Sequence, residues 1–178
     1  MTEASTLEET LSKLAIDSSL LNATIASTQE GLEMAGVCPE AVGATCFFNA
    51  RNPMSVIVGL VGKCSGTVTL NLTEAGMLFL VGELMCEKYE SVDEATIDGI
   101  MELGNIVAGR VKTNLEGSEY DIKHISLPSV IFGQGYQMLY SRGLITCGVE
   151  FELSGLPFSL MNDRFFSTTV SLMPASGV

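Results

Sequence analysis

Two short apolar segments, Val56–Val61 and Gly66–Leu72, are separated only by Gly62-Lys-Cys-Ser65. A gap that short has room for a hairpin turn and little else, so the middle of the chain predicts two antiparallel neighbours. Along the second segment Val68, Leu70 and Leu72 alternate with Thr67, Thr69 and Asn71. That period of two predicts one buried face and one polar face. A sheet with a single apolar face needs a cover, and the chain supplies segments of helical period on both sides of the hairpin.

Before it, Thr6–Ile16 carries Leu7, Leu11 and Leu14 on one stripe. A second helix is predicted from Asp17 or Ser18 to Met34, with Gly36 and Pro39 as stop signals. A short strand is expected over Ala44–Ala50. After the hairpin, Thr73–Glu87 reads as a helix capped by Thr73, with Met77, Leu80, Val81, Leu84 and Met85 inward. A long helix follows from Val92 or Asp93 to near Gly117. Ile122–Phe132 and Gly143–Leu153 alternate as strands, with Gln134–Tyr140 as the linking turn or part of the first strand. Phe165–Met173 fits a strand or a terminal helix. The predicted class is α+β, with long helices packed on one face of a largely antiparallel sheet. Residues 1–17 are read as a helical N-terminal extension and 18–178 as one domain.

The chain has 178 residues, 47% hydrophobic and 17% charged, enough to bury a real core. A formal net charge of −12 repels phosphates and argues against nucleic-acid binding. The N-terminus lacks a basic segment followed by an apolar one, and apolar runs such as Val56–Val61 are too short to span a bilayer. Five cysteines without a CxxC pair argue against a disulfide framework. The expectation is a reduced, cytoplasmic protein without a membrane segment.

Chemistry concentrates in the segment from Thr96 to Arg110. At about 100° per residue, Ile97, Ile100, Val107, Val111 and Leu115 fall on one side of the helix. Asp98, Glu102, Asn105 and Gly109 fall on the other, flanked by Met101 and Ile106. A solvated helix face is the plain explanation, but Asn is a poor helix former, and Gly104 and Gly109 each cost about 1 kcal/mol relative to Ala. Gly109 also removes bulk where another surface could approach. Asn cannot serve as a general base. Its amide can donate to and accept from one water, which is what phosphoryl transfer asks of a positioning group. A neighbouring carboxylate can pair with a lysine of a partner.

Asp98, Glu102 and Asn105, followed after 22 residues by Pro128, resemble the signature of the CheC/CheX/FliY phosphatases of bacterial chemotaxis. The likeness to the CheX branch runs from about Leu20 to about Leu153, including Val58-Gly-Leu-Val-Gly62, Gly66-Thr-Val-Thr-Leu70 and Asn105-Ile-Val-Ala-Gly109. The resemblance implies hydrolysis of the phosphoaspartate of a phosphorylated CheY-like receiver domain. Glu102 would bind the regulator's lysine and Asn105 would orient the attacking water, with Asp98, Gly109 and Pro128 in support. It implies no cofactor or metal on this chain, since the Mg²⁺ belongs to the regulator, and a homodimer that pairs through its sheets. Relatives of the CheC and FliY branches carry a second motif on an earlier helix. Ser18–Gln29 offers no Glu-xx-Asn, so one site per chain is expected.

Other candidates are weaker. His124, the single histidine, reads as a strand residue. Gly62–Gly66 lacks the phosphate-loop pattern, and the histidine and cysteines have no metal-ligand spacing. Two other readings stand beside the phosphatase: a non-catalytic module that docks on response regulators or in a flagellar switch, and a small-molecule enzyme. The last is weakest, because no nucleophile–base pair is visible.

Overall fold

The computed structural model describes residues 16–133, 136 and 143–174. Three helices, α1 (Ser18–Glu33), α2 (Glu74–Met85) and α3 (Glu94–Asn114), accompany seven strands. These are β1 (Glu40–Thr45), β2 (Met54–Gly62), β3 (Cys64–Leu72), β4 (Ile122–Ile125), β5 (Ser129–Phe132), β6 (Ile145–Glu152) and β7 (Phe165–Pro174). The sheet runs β1-β6-β7-β3-β2-β4, with β5 following β4 along the same edge of β2, and every pairing is antiparallel. The α+β class and the hairpin are as the patterning predicts. The expected helix before Ile16 and most of Gln134–Tyr140 lie outside the described residues.

Each helix begins where a side chain replaces a missing backbone partner. Asp17 accepts from Leu20 N–H, and Thr73 accepts from Gly76 N–H. Asp93 and Thr96 close a reciprocal capping box at the start of α3. Helices and sheet share one core, in which Val56, Val58, Val68, Leu70, Ile100, Leu103, Val107 and Phe151 are fully buried. Phe151 stacks on Phe166 with ring centroids 5.3 Å apart.

Glycines set how closely these layers approach. A Cβ on Gly31 would lie 2.8 Å from Val107 Cγ2, which brings α1 onto one flank of α3. A Cβ on Gly104 would lie 2.5 Å from Val56 Cγ1, so α3 rests directly on β2. Gly104 therefore answers to sheet packing, whereas Gly109 has open space where its Cβ would be.

Three expectations are corrected and one open alternative is resolved. The first strand is Glu40–Thr45, not Ala44–Ala50: it forms the sheet edge against β6, and the chain leaves the ladder before Phe47. Phe165–Met173, which fits a strand or a terminal helix by its sequence, takes the strand form as most of β7, a central strand between β6 and β3. Met85 ends α2 and is 53% exposed, because Cys86 turns into a left-handed conformation there. The polar face of β3 is not open to water: Thr69 and Asn71 are both buried. Asn71 is the clamp for the loop before β2, since its side chain donates to Asn52 O, Met54 O and Ser55 Oγ and accepts from Asn52 N–H.

The alternating segment Ile122–Phe132 is likewise two strands. Ser126 N–H donates to Gly59 O (2.9 Å), and Gly59 N–H donates to Ser126 Oγ (2.8 Å). Ser129 is already paired with Ile57. Leu127 and Pro128 thus oppose Val58 alone, which makes a β-bulge in the edge strand. Pro128 has no N–H to give a ladder, the physical reason that the alternation does not continue.

Candidate functional site

The site is built on α3. Gly104 faces β2, Val107 faces α1, and Gly99 meets Val81 of α2, where a Cβ would lie 2.6 Å from Val81 Cγ1. Those contacts occupy the underside and one flank of the helix. At about 100° per residue, Met101 and Asn105 project from the opposite flank. α1 lies over β6 and β7, while α3 packs chiefly on β2 and β4 and touches β3 and β5 on either side. The free flank of α3 therefore looks toward the β4–β5 edge of the sheet.

Asp98 and Glu102 are exposed, and Asn105 and Gly109 are half-buried beside them. Among the described residues, none of the side chains of Asp98, Glu102 and Asn105 has a hydrogen bond or ion pair within the chain. The nearby charges on α3 behave differently: Arg110 lies 4.0 Å from Glu30 of α1, and Asn114 donates to Ser27 Oγ at 3.0 Å. Polar groups that fasten α3 to α1 are thus distinct from those held open. Pro128 is half-buried in the bulge opposite Val58, whose Cγ2 lies 3.9 Å from the Cβ position of Gly104. Four of the five sequence-selected residues share the outer side of α3, and Pro128 stands one strand away from the helix turn that carries Asn105.

Residues outside the selected set also matter. Leu127, next to Pro128, is 88% exposed, and periodicity places it inside a regular strand. Pro128 was the available signal, because a proline within an alternating run marks an edge or a bulge. His124 lies on β4 and is exposed. Among the described residues no three His, Cys, Asp or Glu side chains converge as metal ligands, and no helix is long and apolar enough to cross a membrane. A recess of about 360 Å³ lies on the other face of the sheet, between Phe48, Arg51, Asn52, Ser167 and Thr169, remote from α3.

Fold and site together define a CheC-like α+β domain that presents an open Glu-xx-Asn helix face. The family model of chemotaxis phosphatase CheX matches residues 54–152, more than half of the chain, and the chain belongs to that family. It is 26% identical over 163 residues to the CheY-P phosphatase CheX of Thermotoga maritima, covering 88% of this chain and 97% of that one. Chemotaxis protein CheX of Desulfovibrio desulfuricans superposes with a TM-score of 0.71 at 19% identity, over 86% of this chain and 98% of the other. CheX of Borrelia burgdorferi, solved with CheY, BeF₃ and Mg²⁺, gives 0.65 at 22% identity, over 87% and 96%.

Proposed function

We propose that this chain dephosphorylates the phosphoaspartate of a CheY-like response regulator, with Asn105 orienting the attacking water and Glu102 docking the regulator's lysine. The observation that carries this reading is the Glu102–Asn105 pair, which among the described residues has no partner and lies on a flank of α3 that neither helix nor sheet covers. A polar side chain that serves the fold finds an internal partner, as Asn114 and Asn71 do. Glu102 and Asn105 keep their hydrogen-bonding capacity for another surface.

The reaction needs no covalent step on this chain. Water attacks phosphorus, the bond between phosphorus and the aspartyl oxygen breaks, and inorganic phosphate and the free carboxylate leave. The Asn105 amide accepts a hydrogen bond from that water through its oxygen and fixes the line of attack. Mg²⁺ is held by the regulator and neutralises the charge developing on the phosphoryl oxygens. Glu102 sets the register by a charge-assisted hydrogen bond to the regulator's lysine. Asp98 adds negative charge on the same face, Gly109 leaves room for close approach, and Pro128 shapes the neighbouring edge. The protein acts in the cytoplasm as a homodimer, with one such site per chain.

The test is the rate of phosphate loss from a phosphorylated receiver domain with and without added protein. Asn105→Ala is expected to lower the acceleration on the order of a hundredfold while regulator binding persists. An Asn105→Ala variant as fast as wild type would sink the catalytic assignment. Saturable binding by the wild type with no acceleration would instead select a non-catalytic docking module.

A further inference from the structure

We infer that Leu127 is an apolar docking anchor for the same receiver domain, left exposed by the bulge along the edge of β2; this rests on the reading of the α3 face given above. Leu127 is 88% exposed, an unfavourable position for a side chain of that size. It is also held in place. Ser126 makes both ladder bonds to Gly59, one through its backbone N–H and one through its hydroxyl oxygen, and that hydroxyl donates onward to Leu127 O at 2.8 Å. Gly59 permits this, since a Cβ there would come within 3.1 Å of Ser126 Oγ. The strand resumes at Ser129, opposite Ile57. Leu127 is therefore pinned on both sides and turned out of the sheet, as edge bulges do when they re-aim a side chain.

Its position names the occupant. The bulge opposes Val58, and Val58 meets α3 at Gly104, the residue before Asn105. The free flank of α3 faces this edge, and Met101 on that flank is half-buried. A receiver surface seated on this flank of α3 would extend over Met101 toward the edge strand, where Leu127 stands exposed beside Val58. The partner that fits is a receiver domain with an apolar side chain next to its acidic phosphoacceptor pocket. Apolar contacts made alike in bound and reacting states contribute binding rather than rate.

The experiment measures both turnover of the phosphorylated receiver and the Kd for the same receiver held in its active form by beryllofluoride. Leu127→Ser is expected to raise KM and Kd about tenfold with kcat unchanged, and Leu127→Met to restore both. Unchanged KM and Kd in Leu127→Ser would overturn the docking role and leave the phosphatase reading intact. A wild type that binds without turnover, with binding weakened by Leu127→Ser, would uphold the anchor and remove the phosphatase reading. A wild type that neither binds nor turns over would remove both.

Discussion

Asn105 and Asn114 lie nine positions apart on one helix and have opposite fates. Asn114 spends its amide on Ser27 Oγ, fastening α3 to α1, whereas Asn105 is half-buried with no partner among the described residues. Replacing Glu102 or Asn105 by Ala is therefore expected to shift unfolding by less than about 0.5 kcal/mol, as thermal or urea unfolding would show. Loss of fold in either variant would mean that the face is structural. Four of the five cysteines divide just as sharply, with Cys46 half-buried between them. Burial pushes the Cys147 thiol up to about 11 and raises that of Cys64 as well, while Cys38 and Cys86 are exposed. Since only the thiolate reacts, Cys38 and Cys86 should be alkylated in the folded protein at pH 8, and Cys64 and Cys147 only after unfolding.

At the scale of the element, α3 shows that two glycines of one helix can serve different ends. Gly104→Ala would gain helix propensity, but its Cβ would meet Val56 Cγ1 at 2.5 Å against a stiff, fully buried side chain. Overpacking wins, and a loss of about 1–3 kcal/mol is expected in denaturant unfolding. Gly109→Ala meets open space and should stabilise by about 0.5–1 kcal/mol, yet slow the phosphatase reaction if the regulator approaches there. Both residues look alike in the sequence, since a packing glycine is recognised only from what lies across the interface. The helices themselves were legible, because Asp17, Thr73 and Asp93 signal starts through local chemistry. The break in Ile122–Phe132 was not, because alternation continues on both sides of Pro128 and the extra residue appears only when the strand is laid against β2.

For the whole molecule, polar pairs as well as the core tie the start of β4 to the β2–β3 hairpin. Asp121 precedes β4 and lies 2.9 Å from Lys123 and 4.0 Å from Lys63 of the hairpin turn. The hydrogen bond from Lys123, and then the charges of Lys123 and Lys63, hold the Asp121 carboxyl below its ordinary value of 3.8. A depressed folded-state pKa adds stability above the unfolded value, and that stability is lost as pH falls through the folded one. Asp121→Asn should therefore be less stable than wild type at neutral pH, with the difference shrinking below about pH 4 in thermal melts. A difference independent of pH would show that the pairing is not what Asp121 contributes.

By itself the sequence determined what depends on neighbours along the chain. Period-two and helical spacing, caps and the hairpin turn defined an α+β domain, and the offsets of Asp98, Glu102, Asn105 and Pro128 singled out one helix face. Tertiary structure decided what depends on partners distant in the chain. It put Phe165–Pro174 at the centre of the sheet, buried the polar side of β3, assigned Gly104 to packing and Gly109 to open space, and left Leu127 exposed in the bulge along the edge of β2. The physical reason is that periodicity records which side chains share a face, whereas strand order, bulges and layer spacing arise from steric and hydrogen-bonding matches between segments that the sequence keeps apart.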